Sequence, residues 1–181
     1  MAVKNNYLGY DPLISASEVI SLAFTNQNTD PTLISNNLIQ MSELAHLKLP
    51  LGDDFYLHLK ELYNSGSTGT PTTAEDDFME QWLKPCFAWF VRFEVINEIQ
   101  DNSTSSGIVS AIPDFSKVVT PKELNVYKQD TYRRGNVVLE QMVKFLNDNE
   151  TDFPTYKNGD DVDGCKASQN LVSKQHGMII Y

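Results

Sequence analysis

The side chains that most often carry metal or catalytic chemistry are sparse and widely separated in this sequence. The three histidines are His46, His58 and His176, and neither H-x-x-x-H nor H-x-x-E-H nor C-x-x-C spacing occurs. The run Asp160-Asp161-Val162-Asp163-Gly164 begins like a calcium loop, but the twelfth position counted from Asp161 is Val172 rather than a bidentate glutamate. The sequence therefore predicts no metal site and no cofactor, and an acidic turn at 160–164.

Motifs for nucleophilic catalysis and phosphate binding do not occur either: the chain has no G-x-S-x-G, P-loop or G-x-G-x-x-G pattern. Cys86 lies in an apolar stretch that would keep its thiol protonated. His58 is expected to form a surface pair with Glu61, three residues on along a helix. The one local basic cluster, Tyr132-Arg133-Arg134, is expected to pair with carboxylates of its own chain or of a partner. We therefore predict no catalytic residues and no enzymatic activity.

The charge balance argues against a protein that binds nucleic acid. The chain has 14 basic and 24 acidic residues, giving a net charge of −10, whereas DNA binding requires clustered Lys and Arg. An acidic surface suits a wall that DNA passes without adhering to it. Two cysteines, without a secretory signal at the amino terminus, predict a reducing compartment and no disulfide framework. No transmembrane segment is expected, because residues 76–99, the most apolar stretch, contain too many charges.

Residues 76–99 are predicted to form the central helix around which the other elements pack. They contain both tryptophans and four of the nine phenylalanines. At helical spacing these side chains would cover most of the circumference, which is typical of a helix packed on several sides. Because Pro85 removes one backbone hydrogen bond, a kink or a junction of two helices is expected at Lys84-Pro85. The predicted core residues are Trp82, Phe87, Trp89 and Phe93.

Capping signals predict further helices on both sides of this central helix. Ser15-x-x-Glu18 and Thr120-Pro121-x-Glu123 are capping boxes, and the second helix should run to about Asn147. Asp30-Pro31 predicts another helix start, and Asp53 or Asp54 caps the next helix. Gly135 marks either a close helix crossing or a weak point. The helix after Asp30 is expected to turn one apolar face inward, formed by Leu33, Ile34, Leu38, Met41, Leu44 and Ala45.

The remaining segments are predicted to be loops and arms. Residues 64–73 are rich in Gly, Ser and Thr and predict an exposed loop, while 108–119 are β-branched and predict an extended segment or hairpin. The predicted fold is all-α, with about five helices around the aromatic-rich helix, an extended arm or hairpin and a long C-terminal tail. The expected organisation is an N-terminal arm of residues 1–14, a helical domain of 15–156 and a tail of 157–181.

The order of several short motifs resembles the head-to-tail adaptor, or ring, proteins of tailed bacteriophages, especially crAss-like phages that infect Bacteroides. The resemblance covers about residues 14–156. The motifs that carry it are, in chain order, Ile14-Ser-Ala-Ser-Glu18, Leu49-Pro-Leu-Gly52-Asp-Asp-Phe-Tyr56, Trp82-Leu-Lys-Pro85-Cys-Phe-Ala-Trp-Phe, Ser-Ser-Gly107-Ile-Val, Thr120-Pro-Lys-Glu, Phe145-Leu-Asn-Asp-Asn149 and Phe153-Pro-Thr-Tyr156.

The resemblance implies a structural virion protein at the head–tail junction, assembled in the host cytoplasm. Such a protein forms a homo-oligomeric ring, twelvefold to match the portal, beneath the portal protein. The ring extends the DNA channel without specific DNA binding and docks the next tail or ring component. The alternatives left open are a tail-completion or stopper protein and a non-virion helical interaction or regulatory protein.

Three segments are expected to make the contacts of such a ring: the loop 64–74, the extended segment 108–119 and the tail 157–181. The short apolar end of the chain could add as a strand to a partner's sheet, and its residues are Met178, Ile179, Ile180 and Tyr181. The extended segment supplies the candidate ring contacts, which are Ile108, Val109, Ile112, Phe115, Val118 and Val119. Because contacts in a cyclic assembly are heterologous, each subunit would use two different faces.

Overall fold

Helices form nearly all of the regular structure in this protein. A computed structural model describes residues 9–24, 31–64, 66–101, 109–112, 115–118 and 120–157. The predicted all-α fold is confirmed. In chain order the α-helices are α1 (Ala16–Ala23), α2 (Asn36–His46), α3 (Lys48–Leu51), α4 (Asp53–Leu62), α5 (Thr73–Phe78), α6 (Lys84–Asp101) and α7 (Pro121–Asp148).

The predicted central helix is part of a continuous helical run that consists of α5, a π-helical turn at Met79–Leu83 and α6. In the π turn the Lys84 N–H donates to the carbonyl of Met79, five residues earlier. The irregularity expected at Lys84-Pro85 is therefore found immediately before the proline, where a widened turn accommodates a residue that has no backbone N–H. Helix α6 packs against α1, α2 and α7, as a central helix should.

Capping boxes fix the starts of three helices. Ser15 with Glu18 caps α1, and Thr120 with Glu123 caps α7, as predicted. Thr72 with Glu75 caps α5 in the same way. This helix start was not predicted, because Thr72 belongs to a Gly/Ser/Thr-rich stretch that is typical of a loop. Helix α4 follows Gly52, which has a φ of 76°, a left-handed conformation that favours glycine.

The predicted start of α2 was wrong, and its predicted inward face was right only in part. Pro31–Leu33 forms a short 3-10 helix, and α2 begins at Asn36 with Ser35 as its N-cap. Of the predicted face, Ile34 is buried and Leu38 and Leu44 are partly buried against the core, whereas Leu33, Met41 and Ala45 are exposed. The fully inward positions of α2 are instead Ile39, Ser42 and Glu43, so two polar residues occupy the interior face.

Helix α7 crosses α6 closely at Gly135. Of the two interpretations of this glycine, a close helix crossing is therefore confirmed. A Cβ atom built at Gly135 would lie 3.1 Å from the ring of Phe90. Beyond α7 the chain turns back, and Phe153 and Tyr156 are buried in the core. Phe153 packs edge-on against Phe55, with ring centroids 5.9 Å apart, and so closes the end of the bundle near α4.

The carboxyl-terminal part of the predicted N-terminal arm is fastened to the helical domain. Leu13 and Ile14 are buried in the core, and the N–H of Asp11 donates to Oδ1 of Asn64 at 2.9 Å. The predicted tail is described only as far as Lys157, so the rest of the 157–181 segment lies outside the described residues.

Candidate interaction surfaces

The candidate ring contacts fall on a β-hairpin between the two longest helices. Strands β1 (Val109–Ile112) and β2 (Phe115–Val118) are antiparallel, with Val109 opposite Val118 and Ile112 opposite Phe115. This confirms an extended hairpin in the predicted segment. Ile108 and Val119 lie outside the described residues. The two strands form a two-stranded sheet, and neither outer edge is paired with a third strand among the described residues.

The predicted contact residues at the end of the chain, Met178, Ile179, Ile180 and Tyr181, lie outside the described residues, as does the acidic turn predicted at 160–164. The structure therefore leaves strand addition by the end of the chain as a prediction.

The four predicted core residues differ in burial. Phe87 is fully buried, whereas Trp82, Trp89 and Phe93 are only partly buried. The prediction is therefore confirmed for Phe87, whereas Trp82 and Trp89 pack against the margin of the core and Phe93 is only partly buried. The buried arc of α6 is occupied by Cys86, Phe90 and their neighbours, which leaves the larger rings at its margins. Trp82, for example, stacks on Phe145 with centroids 5.3 Å apart.

Trp89 is the centre of a surface in which aromatic rings and arginines alternate. The guanidinium groups of Arg92 and Arg134 lie over the Trp89 ring, 5.4 Å and 5.3 Å from its centroid. Arg92 also lies 5.8 Å from the ring of Tyr127 and donates a hydrogen bond to the carbonyl of Ala23. The packing of α6 against α7 thus forms cation–π contacts between residues that are far apart in sequence. The sequence alone did not predict these contacts.

The predicted pairing of the basic cluster on α7 is confirmed within the chain. Arg133 and Arg134 both donate to Asp130, at 2.8 Å each. The hydrogen bonds from Arg133 and Arg134 lower the pKa of the Asp130 carboxyl. The apolar side chains of Tyr127 and Val137 lie on the same helix with 58% and 51% of their surface exposed. We call Trp89, Arg92, Tyr127, Arg133, Arg134 and Val137 the Trp89 surface.

A buried ion pair joins the helices α2 and α4. Lys60 Nζ donates to Glu43 Oε2 at 2.7 Å, and both side chains are sealed from solvent. The Tyr56 hydroxyl donates to the same oxygen at 3.1 Å, and the Leu13 N–H donates to Glu43 Oε1 at 2.6 Å. Lys60 also donates to the carbonyl of Asp11. Because both charges are paired and hydrogen-bonded, the group is a structural connection between the amino-terminal segment and two helices.

The two histidines in the described residues each pair with a glutamate on another helix. His58 Nε2 lies 2.6 Å from Glu75 Oε1, so the predicted surface pair with Glu61 was wrong; the partner belongs to the cap of α5. His46 Nε2 lies 2.8 Å from Glu94 Oε1. The His46 ring stacks on Phe90 at 4.6 Å. These partners position both rings as packing contacts between helices.

Cys86 is a buried thiol, as predicted. Burial raises the pKa of its thiol well above the usual range, and Sγ lies 3.8 Å from the carbonyl of Gly135. Within the described ranges no three His, Cys, Asp or Glu side chains are placed to hold a metal ion. In the same part of the chain, no helix has the length and hydrophobicity required to cross a membrane.

The described residues form an α-helical domain. Its distinctive features are the β-hairpin, the Trp89 surface and the buried Lys60–Glu43 pair. A family model described as "Family of unknown function (DUF6712)" matches residues 47–165, about two thirds of the chain. The chain belongs to this family. The match begins at the end of α2 and includes the Trp89 surface and the hairpin. Neither the curated proteins nor the solved structures contain a significant match to this sequence.

Proposed function

We propose that this protein is a structural virion component, a head-to-tail adaptor that forms a ring beneath the portal of a tailed bacteriophage. It extends the DNA channel, docks the next tail component and has no enzymatic activity. The proposal starts from the ordered motifs at residues 14–156 that resemble phage adaptor proteins. These motifs coincide with helix boundaries here: Ser15 and Thr120 cap α1 and α7, and Gly52 precedes α4.

The observation that carries the proposal is the β-hairpin inserted between α6 and α7. A two-stranded hairpin by itself is marginally stable in water. Both outer edges of this hairpin lack a paired strand among the described residues, and an unpaired edge is a template for pairing with another chain. A hairpin with unpaired edges would supply one of the two different faces that a ring subunit needs.

The charge of the chain fits a channel component. With a net charge of −10, a ring of many copies would repel the phosphate backbone of passing DNA rather than bind it. The neighbours of such a ring are the portal protein and the adjacent tail or ring proteins, and its place is the head–tail junction of the virion, after assembly in the host cytoplasm.

Light scattering of the purified full-length protein, alone and with portal protein, tests this function. We expect a ring, twelvefold to match the portal, that forms either alone or only when portal is added. A monomer that ignores portal would contradict the adaptor and favour a regulatory protein or a component further along the tail. As a control, portal should be replaced by an unrelated ring-forming protein of similar charge, which should recruit no subunits.

A further inference from the structure

The Trp89 surface has the composition of a binding site rather than of an ordinary solvated face. Trp, Tyr and Arg are the residues that most often dominate binding energy at interfaces. Here two guanidinium groups share one indole ring, at 5.4 Å and 5.3 Å from its centroid. Tyr127 beside them has 58% of its surface exposed, and the Arg134 side chain 54%. A partner could therefore reach both the rings and the cations.

The charge of this surface is opposite to that of the protein as a whole. Asp130 accepts hydrogen bonds from Arg133 and Arg134 and is also a charged neighbour of Arg92, so three guanidinium groups share this carboxylate. The chain itself has a net charge of −10. A local excess of guanidinium groups, flanked by exposed apolar surface, matches an acidic segment that also contains an apolar residue.

The sequence supplies a segment of that chemistry shortly after the last described residue. Asp160, Asp161 and Asp163, with Val162 between them, follow Lys157 by three to six positions. We propose that the segment Asp160–Asp163 of a second copy of this chain docks on the Trp89 surface, its carboxylates pairing with the arginines and its valine lying against the exposed rings. This inference deepens the proposed ring function and rests on it.

Reach favours a second copy over the same chain. The Tyr156 hydroxyl donates to Asn147 Oδ1 at 3.1 Å, so the tail leaves the domain beside the end of α7. Arg134 lies thirteen residues earlier on that helix, or about 20 Å along its axis. An extended chain advances at most about 3.6 Å per residue, so it covers about 14 Å from Tyr156 to Asp160. Of the three carboxylates only that of Asp163, seven residues or at most about 25 Å from Tyr156, covers this distance within one chain, so pairing of the whole segment with the arginines favours a second copy.

Binding of an acidic peptide to the full-length chain tests the surface itself. The probe is a fluorescein-labelled peptide of residues 157–164, and the receptor is the full chain with Asp160→Asn, Asp161→Asn and Asp163→Asn, so that no native tail competes. We expect saturable binding, measured by anisotropy, that weakens as salt is raised. The same peptide with the three aspartates changed to asparagine should bind at least about tenfold more weakly.

Two variants of this receptor locate the site. Arg134→Glu should weaken binding at least about tenfold because it reverses an exposed charge over Trp89. Lys144→Glu is the matched control: it makes the same type of change on the exposed face of α7, ten residues away, and should alter affinity less than about twofold. Circular dichroism spectra of both variants should match that of the parent receptor, which would show that both fold. No saturable binding, equal binding of the asparagine peptide or equal effects of the two variants would overturn the proposal.

Mixing two full-length variants tests whether the occupant is a second copy. One carries Arg134→Glu with the native tail, and the other carries the three aspartate substitutions with the native surface. By sedimentation velocity, an equimolar mixture should contain a one-to-one complex of the two variants that neither forms alone. Peptide binding without this complex would overturn assignment to a second copy. Recruitment by portal is measured separately. A protein that binds the peptide but does not assemble on portal would contradict the proposed adaptor ring, whereas the binding site on the Trp89 surface would still be supported.

Discussion

Lys60 and Glu43 face each other at 2.7 Å between α4 and α2, and neither side chain reaches solvent. Each also holds the amino-terminal segment: Glu43 accepts the N–H of Leu13, and Lys60 donates to the carbonyl of Asp11. The pair thus fixes the path of the chain into α1. A buried ion pair contributes little net stability, but removing one partner alone leaves an unpaired buried charge, so such a change should be costly.

Replacing Lys60 with methionine should lower the free energy of unfolding by about 3–5 kcal/mol, because a buried carboxylate at Glu43 loses its counter-charge. Urea unfolding monitored by circular dichroism measures the change. The double variant Lys60→Met with Glu43→Gln should recover much of the loss, since the amide oxygen can still accept from the Leu13 N–H while the amide N–H group donates to the Tyr56 hydroxyl.

The exposed pair of Lys48 and Asp53 is the control for the buried one. Its atoms are 3.4 Å apart, and the Asp53 side chain is 71% exposed. Lys48→Ala should change the free energy of unfolding by less than about 1 kcal/mol. If Lys48→Ala and Lys60→Met lowered the free energy of unfolding equally, burial of the Lys60–Glu43 pair would not be the source of the large effect.

This pair also explains why the inward face of α2 was predicted only in part. Sequence reasoning placed charged residues outside and therefore chose the apolar stripe that includes Leu33 and Met41, which are exposed. Glu43 can be interior only because Lys60, seventeen residues later, neutralises it. Local signals did better: the capping boxes at Ser15 and Thr120 depend on residues three positions apart, so the sequence alone was sufficient.

Glu75 should make folding sensitive to acid. Burial raises the pKa of its carboxyl, but hydrogen bonds from the Thr72 backbone, from His58 and from the Thr72 hydroxyl outweigh this and lower the pKa below its ordinary 4.5. A depressed pKa contributes stability that is present above pH 4.5 and is lost as the pH falls through the lower folded value. In Glu75→Gln the free energy of unfolding should therefore be lower at neutral pH and fall less steeply below pH 4.5.

Part of the acid dependence should survive in that variant, because hydrogen bonds from Lys84 and Ser15 outweigh the effect of burial and lower the pKa of Glu18 as well. Glu140→Gln, on the exposed face of α7, is the matched control and should retain the wild-type slope. Thermal unfolding between pH 3 and 7 measures all three proteins. If Glu75→Gln and Glu140→Gln have the same slope, the cap of α5 does not contribute to acid sensitivity.

Phe87 and Trp89 should differ in their contribution to stability although they are two residues apart. Phe87 is fully buried, so Phe87→Ala should cost about 3–5 kcal/mol. Trp89 is only partly buried and packs against Arg92 and Arg134. Trp89→Ala should therefore cost about 1–3 kcal/mol, the free energy of transferring its buried surface to water, because no closed cavity would be left in the core. Urea unfolding compares the two, and a larger loss for Trp89→Ala would place its ring in the core.

The position of Trp89 marks a limit of reasoning from periodicity. A helix that is apolar on most of its circumference predicts several packed sides, and α6 does pack on α1, α2 and α7. Periodicity does not indicate which rings lie at the margin of those contacts. The arginines over Trp89 come from α6 and from α7, and only the crossing of the two helices brings them together.

Gly135→Ala should destabilise the protein, although alanine favours a helix over glycine by about 1 kcal/mol at an ordinary position. The added methyl group would lie 3.1 Å from the Phe90 ring, which is buried and stacked on His46 at 4.6 Å. Because that ring has little space to retreat, we expect a loss of about 1–3 kcal/mol in urea unfolding. Phe90→Leu should relieve the contact, so Gly135→Ala should cost less in a Phe90→Leu background than in the wild type. An equal cost in both backgrounds would mean that the close crossing of α6 and α7 does not require glycine.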